Sequence, residues 1–172
     1  MRRLALILVG ACAMAVVGVA TSSGAGGGDG PRDAVWGGGH FEGTIGDLTF
    51  NRDFSVNVEQ GRFGDADGSF VYGRNGFNGS VNTPSCIAVS GNRAVIGGVN
   101  QAGFKYLWYA IDNGTPASAV RDAATFVLLL EPDEIAQMPA GFPKVCPSPD
   151  EIIGNSPAFD ITHGDIVVRD VS

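Results

Sequence analysis

The longest regular alternation of apolar and polar side chains runs from Leu48 to Glu59. Leucine, phenylalanine and valine occupy the even positions, polar residues occupy the odd ones, and Arg52 alone breaks the apolar row. A β-strand sends successive side chains to opposite faces, whereas a helix needs apolar positions three and four residues apart. The segment is therefore predicted to be a strand with one buried face and one face in water.

A β-hairpin is predicted in the segment Cys86–Gly98, where two runs rich in Val and Ile flank the turn-forming residues Ser90-Gly91-Asn92. Similar short runs, separated by clusters of Gly, Asn and Asp, cover residues 69–74, 77–82, 104–112, 123–130 and 165–171. No connection before Leu130 is long enough for a helix between parallel strands. The pattern predicts an all-β fold, an antiparallel meander of about eight strands.

The segment 131–163 interrupts this pattern. It holds six of the nine prolines, Cys146 and one possible helical turn at 133–138. A proline-rich loop of this length inside a compact domain is expected to be either functional or tied down. The last apolar run, at 165–170, could pair with the first strand and remove exposed sheet edges. We therefore predict a closed or nearly closed barrel, with a β-sandwich as the alternative.

The first residues have the order of a signal peptide. Two arginines precede an apolar run over 4–20, and small polar residues follow it, so that cleavage is predicted after Ala20 or Ala25. A retained membrane anchor and lipidation at Cys12 are the less favoured alternatives. The protein is therefore expected to be secreted or held in the cell envelope, with no membrane span after cleavage.

Residues 21–39 are rich in glycine and poor in large side chains, so they are predicted to be a flexible lead-in to a single β domain over 40–172. The 172-residue chain has a formal charge of −7, which becomes −9 once the two leader arginines are removed. An acidic surface disfavours nucleic acid and anionic membranes as partners. Cys86 and Cys146 are expected to form a disulfide, because two cysteines in an exported domain are typically paired.

One combination of motifs resembles a family. Cys-x-x-Val-x-Gly-Asn at 86–92, an aromatic strand ending in Asp112-Asn113-Gly114, and a last strand at 164–170 are similar to those of uncharacterised secreted bacterial β-rich proteins. The resemblance covers roughly residues 41–170. It implies a secreted β domain with no known activity, and it transfers no catalytic residue.

Catalytic and metal-binding patterns are sparse. His163 lies two residues before Asp165, which makes this pair the candidate for a secreted hydrolase, but the sequence has no Gly-x-Ser-x-Gly elbow. Asp65 and Asp67 place two carboxylates in a tight loop without the further ligands of a calcium site. The two histidines are too far apart in the sequence to suggest zinc. No catalytic residue, metal or cofactor is assigned, and enzymatic activity is not favoured.

The aromatic strand 104–112 carries apolar side chains on both faces, with Tyr106 and Trp108 on one of them. Tyr and Trp combine apolar area with a polar tip, which suits a ligand pocket as well as a core. Tyr72, Tyr106 and Trp108 are therefore candidate ligand-binding residues. The predicted function is an exported, non-catalytic binding or structural module for an unknown extracellular ligand or protein. The alternatives are a small-ligand-binding barrel and the hydrolase using His163 and Asp165.

Overall fold

The computed structural model describes residues 32–74, 77–114, 120–125, 127–153 and 157–171. These ranges contain nine strands and two short helices: β1 (Ala34–Ile45), β2 (Leu48–Gln60), β3 (Ala66–Arg74), β4 (Phe77–Ser90), β5 (Arg93–Asn100), β6 (Lys105–Ile111), β7 (Ala123–Ala124), β8 (Leu128–Leu129), α1 (Pro132–Ile135), α2 (Pro149–Ile153) and β9 (Phe159–Arg169). Within them, no helix has the length and apolar character that a membrane span requires.

The strands close into an antiparallel barrel of eight strands. Strands β1 to β6 each pair with the next one along the chain, β9 returns to pair with β1, and β7 lies between β9 and β6. The short strand β8 pairs with β6 outside this circuit. The prediction of an all-β, closed meander is confirmed, and the sandwich alternative is wrong.

The interior of the barrel is made mainly of aromatic and β-branched side chains. In β2, Phe54, Val56 and Val58 are buried while the residues between them are exposed, which confirms the period-two pattern. The Phe70 ring lies at the centre, 4.9 Å from the Trp108 ring and 5.9 Å from the Tyr106 ring. These rings give the barrel one continuous apolar core.

The predicted flexible lead-in over 21–39 is wrong for residues 34–39, because they belong to β1 and pair with both β2 and β9. Gly37 has a φ of +140°, and a Cβ there would collide with the carbonyl oxygen of Asp165. A Cβ at Gly39 would lie 2.7 Å from Ile161 Cγ2. The glycines therefore allow close approach of neighbouring strands, which composition alone does not distinguish from flexibility. The domain includes residues from Ala34, and the rest of the lead-in up to residue 31 lies outside the described residues.

The proline-rich excursion covers the outer face of β5 and β6. The predicted disulfide between Cys86 and Cys146 is present, with a Cα–Cα distance of 5.4 Å. Phe142 from the excursion packs with the outward-facing side chains Val95, Leu107 and Tyr109. Strand β6 is apolar on both faces because one face lines the barrel and the excursion covers the other.

The predicted end of the excursion at residue 163 is wrong, because β9 begins at Phe159. The final strand therefore starts six residues earlier than the apolar run at 165 suggests. The start of β9 contains polar residues such as Asp160 and Thr162, so a prediction based on apolar side chains places the start of the strand too late.

Two aspartates connect β9 to the end of β6. The Val168 N–H donates to the Asp112 carboxylate and the Ile166 N–H donates to the Asp122 carboxylate, each at 2.9 Å. Asp122 is 6% exposed and also accepts from the Asn113 N–H at 2.8 Å. The side-chain oxygens thus take the place of backbone carbonyls where the ladder between neighbouring strands is incomplete.

Candidate functional site

The structure brings the predicted residues Tyr106 and Trp108 together in the barrel core. Neither side chain has any exposed surface, and both rings contact Phe70. Burial raises the pKa of the Tyr106 hydroxyl above its ordinary value. The Tyr106 hydroxyl and Trp108 Nε1 have no hydrogen-bond partner among the described residues. Both residues are thus closed off from solvent, as core residues are.

Tyr72, the third predicted residue, lies at the rim of the same barrel. Its ring is 6.2 Å from Phe70 and 6.4 Å from Phe41, and the side chain is half-buried. Burial raises the pKa of Tyr72 to about 12, although the nearby Arg52 guanidinium and the Val127 backbone limit the rise. The predicted trio therefore forms a row from the core to the rim, and only its outer member reaches solvent.

Arg52 occupies the apolar row of β2 close to this rim. Its guanidinium carbon lies 5.8 Å from the centroid of the Phe50 ring, and Nη1 donates to the Asn51 carbonyl oxygen at 2.7 Å. No carboxylate of the described chain pairs with this half-buried side chain. A half-buried cation without an acidic partner is unusual, because a charged group is normally paired once it leaves water.

A pocket of about 240 Å³ opens at the same rim, and Phe50, whose ring contacts the Arg52 guanidinium, is part of its lining. We call it the mouth pocket, and it is lined by Glu42, Thr49, Phe50, Asn51 and Arg74. Asn51 Oδ1 is buried there without a hydrogen-bond partner among the described residues. Arg74 is exposed and forms no ion pair with any described carboxylate. The lining of the pocket therefore combines an aromatic residue, an amide whose buried oxygen lacks a donor, and a cationic edge.

His40 lies on the outer face of β1, next to the mouth pocket. Its Nδ1 is 2.8 Å from Asp53 Oδ1, and its Nε2 is 3.4 Å from Glu42 Oε1. The hydrogen bond to Asp53, helped by Glu42 and opposed by burial, raises the pKa of the His40 imidazole above its ordinary value of 6.5. Because both ring nitrogens face carboxylates, His40 is suited to carry charge rather than to accept a proton from a nucleophile.

The structure does not bring His163 and Asp165 together as a catalytic pair. His163 is exposed, and its Nδ1 lies 3.3 Å from the Thr162 hydroxyl. Asp165 interacts with Asp122 instead, and desolvation together with a hydrogen bond to Asp122 raises the pKa of the Asp165 carboxyl. The hydrolase alternative stays a prediction, and this geometry gives it no support.

In the described parts of the chain, no three His, Cys, Asp or Glu side chains are placed to hold a metal ion together. Comparison with protein-family models, with curated proteins and with solved structures finds no match to this chain. The resemblance to secreted bacterial β-rich proteins therefore stays a prediction.

Sequence reasoning did not identify Arg52, Asn51 and Arg74 as a group. Arg52 is conspicuous in the sequence, since it is the only charged residue in the apolar row of β2. Asn51 and Arg74 are not conspicuous, because an Asn on a solvent-exposed strand face and an Arg beside a turn are both ordinary. Only the folded chain shows that Asn51 and Arg74 line one pocket, with Arg52 against the Phe50 ring of the same lining.

Proposed function

We propose that this protein is an exported, non-catalytic β-barrel module that binds a small ligand at the mouth pocket. The leader pattern supports export, and the Cys86–Cys146 disulfide is compatible with an extracellular location. The mouths of β-barrels are a common place for ligand sites.

The observation that carries the proposal is the buried, unpaired Oδ1 of Asn51, a residue that lines the pocket together with Phe50. A buried acceptor without a partner costs about 1–3 kcal/mol. A ligand that packs an apolar group on Phe50 and donates a hydrogen bond to the Asn51 amide, once that amide turns toward the pocket, would offset that cost. The pocket is small, so a ligand of about ten non-hydrogen atoms fits its volume better than a chain or a folded partner.

The core residues give this site a fixed base. Phe50 contacts the Phe159 ring at 4.9 Å, and Phe159 stacks on Phe41 at 6.0 Å. Phe41 in turn contacts Tyr72, which leads to Phe70 and the closed core. Tyr106 and Trp108 therefore support the site from below, and Tyr72 lies between them and Phe41. A wall held by packed rings loses little freedom on binding.

Ligand binding can be tested by titrating the exported protein with phenylacetamide and following backbone amide signals by NMR. We expect saturable shifts at Thr49, Asn51 and Arg74, with a dissociation constant of about 1 to 10 mM for so small a probe. Asn51→Leu should abolish the shifts. Asn57→Leu, on the same face of β2 but away from the pocket, should keep them. If neither phenylacetamide nor phenylacetate gives saturable shifts at these amides, the proposed function is wrong.

Export can be tested separately by mass spectrometry of protein secreted by a bacterial host. We expect a chain that begins after Ala20 or Ala25 and that contains no free thiol at Cys86 or Cys146. A secreted or envelope-bound chain that retains residues 4–20 would contradict the predicted cleavage. A fatty-acyl mass at Cys12 would favour the lipoprotein alternative.

A further inference from the structure

We propose that the ligand of the mouth pocket carries an anionic oxygen group, a carboxylate or a phosphate, which Arg52 and Arg74 bind together. This inference rests on the proposed function, since it names the class of ligand that the same pocket takes. It follows from the charge, the placement and the surroundings of the two arginines.

The charge argument starts from the composition of the chain, which has 18 acidic and 11 basic residues. With acids in excess, an arginine can readily find a carboxylate, as Arg93 does with Asp150 at 3.2 Å. Arg52 and Arg74 have none among the described residues. Arg52 is half-buried, its Nη1 donates to the Asn51 carbonyl oxygen, and it also interacts with the Tyr72 hydroxyl, so its remaining N–H donors face no carboxylate of the described chain where water is already limited.

The strand register places the two arginines at the same edge. The ladder between β2 and β3 ends at the pair Asp53–Gly73, so Arg52 and Arg74 are the next residues on either side. The Phe50 ring links them, because it lies against the Arg52 guanidinium and also lines the pocket that Arg74 borders. One anionic group at this edge can therefore accept hydrogen bonds from both side chains.

Among the described residues, Glu42 is the one acidic side chain that lines the mouth pocket, and its carboxylate already pairs with His40. Its Oε1 lies 3.4 Å from His40 Nε2, and His40 is held toward its charged form by Asp53 as well. The pocket edge formed by Arg74, with Arg52 next to it, is therefore left positive. The apolar wall formed by Phe50 accepts the remainder of the ligand, so the class we infer is a small anion with an aromatic or aliphatic body.

A matched set of probes separates this inference from the proposed function. Phenylacetate, phenyl phosphate and neutral phenylacetamide share the aromatic body and differ in the polar group. We expect at least one anion to bind about tenfold more tightly than phenylacetamide in low salt, because hydrogen bonds to charged groups are the stronger ones. The advantage should shrink in about 0.5 M NaCl. The tighter of the two anions identifies carboxylate or phosphate as the preferred group.

Equal affinities for all three probes would overturn the anion inference and leave the proposed function standing. Variants give an independent readout: Arg74→Gln and Arg52→Gln should each weaken binding of the preferred anion about fivefold and leave phenylacetamide nearly unchanged. Arg74 is exposed, so its variant keeps the test valid if Arg52→Gln does not fold. Arg62→Gln, in the hairpin at the opposite end of the barrel, is the control and should bind as the wild type. If both pocket variants keep full preference for the anion, the inference is wrong.

Discussion

At the scale of single residues, glycine in β1 sets how closely the barrel strands approach. Gly37 faces the Asp165 carbonyl oxygen of β9, and Gly39 faces Ile161 and the carbonyl oxygen of His163. A Cβ atom at either position would collide with β9, so only glycine fits there. The glycines of this segment are therefore part of the barrel wall, although their composition predicts a flexible linker.

Gly37→Ala is expected to lower the free energy of unfolding by roughly 3 kcal/mol, since it adds a steric clash to a positive φ. Gly46→Ala is the matched control, because Gly46 also has a positive φ, +58°, but no atom lies within 4 Å of its added Cβ. The control should lose only about 1 kcal/mol. Urea unfolding of both variants measures the difference, and equal losses would contradict the role given to Gly37.

His40 makes the stability of the fold depend on pH. Its pKa in the folded state is raised above 6.5, mainly by the hydrogen bond to Asp53. The stabilisation is therefore complete below the unfolded-state pKa and is lost as the pH rises through the folded-state pKa. His40→Gln should destabilise the protein by up to about 1 kcal/mol near pH 5 and by clearly less near pH 9.

Denaturant unfolding at both pH values measures this effect. The control combines Glu42→Gln with Asp53→Asn, because in that background the cost of His40→Gln should no longer vary with pH. If the destabilisation caused by His40→Gln grows as the pH rises, the predicted direction of the pH dependence is wrong.

At the scale of elements, the excursion between β8 and β9 acts as a cover for β5 and β6. It turns the outer side chains of β6 into a second small core, with Phe142 packed on Leu107 and Tyr109. The disulfide joins this cover to β4, from which Cys86 projects outward. The disulfide therefore fixes the cover to β4, the strand that pairs with β5.

Replacing Cys86 and Cys146 by alanine should lower the free energy of unfolding by about 4 kcal/mol, the chain-entropy value for a loop of this length. The excursion should also detach more often, so that trypsin cleaves after the exposed Lys144 faster than in the wild type. Cleavage after Arg62, in the distant hairpin, is the internal control and should keep its rate. Unchanged cleavage after Lys144 would mean that packing alone holds the cover in place.

At the scale of the whole molecule, closure of the barrel joins strands far apart in the sequence. Asp122 contributes through hydrogen bonds to the backbone of both Asn113 and Ile166. Asp122→Ala should lower the free energy of unfolding by roughly 2–4 kcal/mol, because it leaves two N–H groups without acceptors, one of them buried. The Ile166 amide should also exchange its hydrogen faster.

Asp150→Ala is the control for this prediction. Asp150 pairs with Arg93 at the surface, and the two side chains are 62% and 42% exposed. Its loss should change the free energy of unfolding by about 0–1 kcal/mol. If Asp122→Ala costs no more than Asp150→Ala, the aspartate bridge does not stabilise the closed barrel.

The closed barrel could be predicted from the sequence because its signals are local. Alternation in β2, the Ser90–Asn92 turn and the apolar last strand each act within a few residues, and antiparallel neighbours then follow from short connections. The apolar pattern does not reveal β1, because close packing selects glycine there. It does not distinguish β7 either, because this two-residue strand lies within a longer apolar run.

The mouth pocket could not be predicted for a different reason. Glu42, Asn51 and Arg74 come from three strands, and each is ordinary in its own segment. What distinguishes them is the partner that each one has or lacks in the folded chain, such as the missing donor for Asn51 Oδ1. A one-dimensional pattern of side-chain types does not contain that information.

The pairing of Ala34 with Arg169 means that the chain enters and leaves the barrel at one rim. The mouth pocket lies at the other rim, near the hairpin that joins β1 to β2. Twelve residues of β1 at about 3.3 Å each separate the two rims along the strand by about 40 Å. A tether attached upstream of Ala34 or downstream of Arg169 therefore points the pocket away from whatever surface holds the protein, and both ends can be immobilised or fused without covering it.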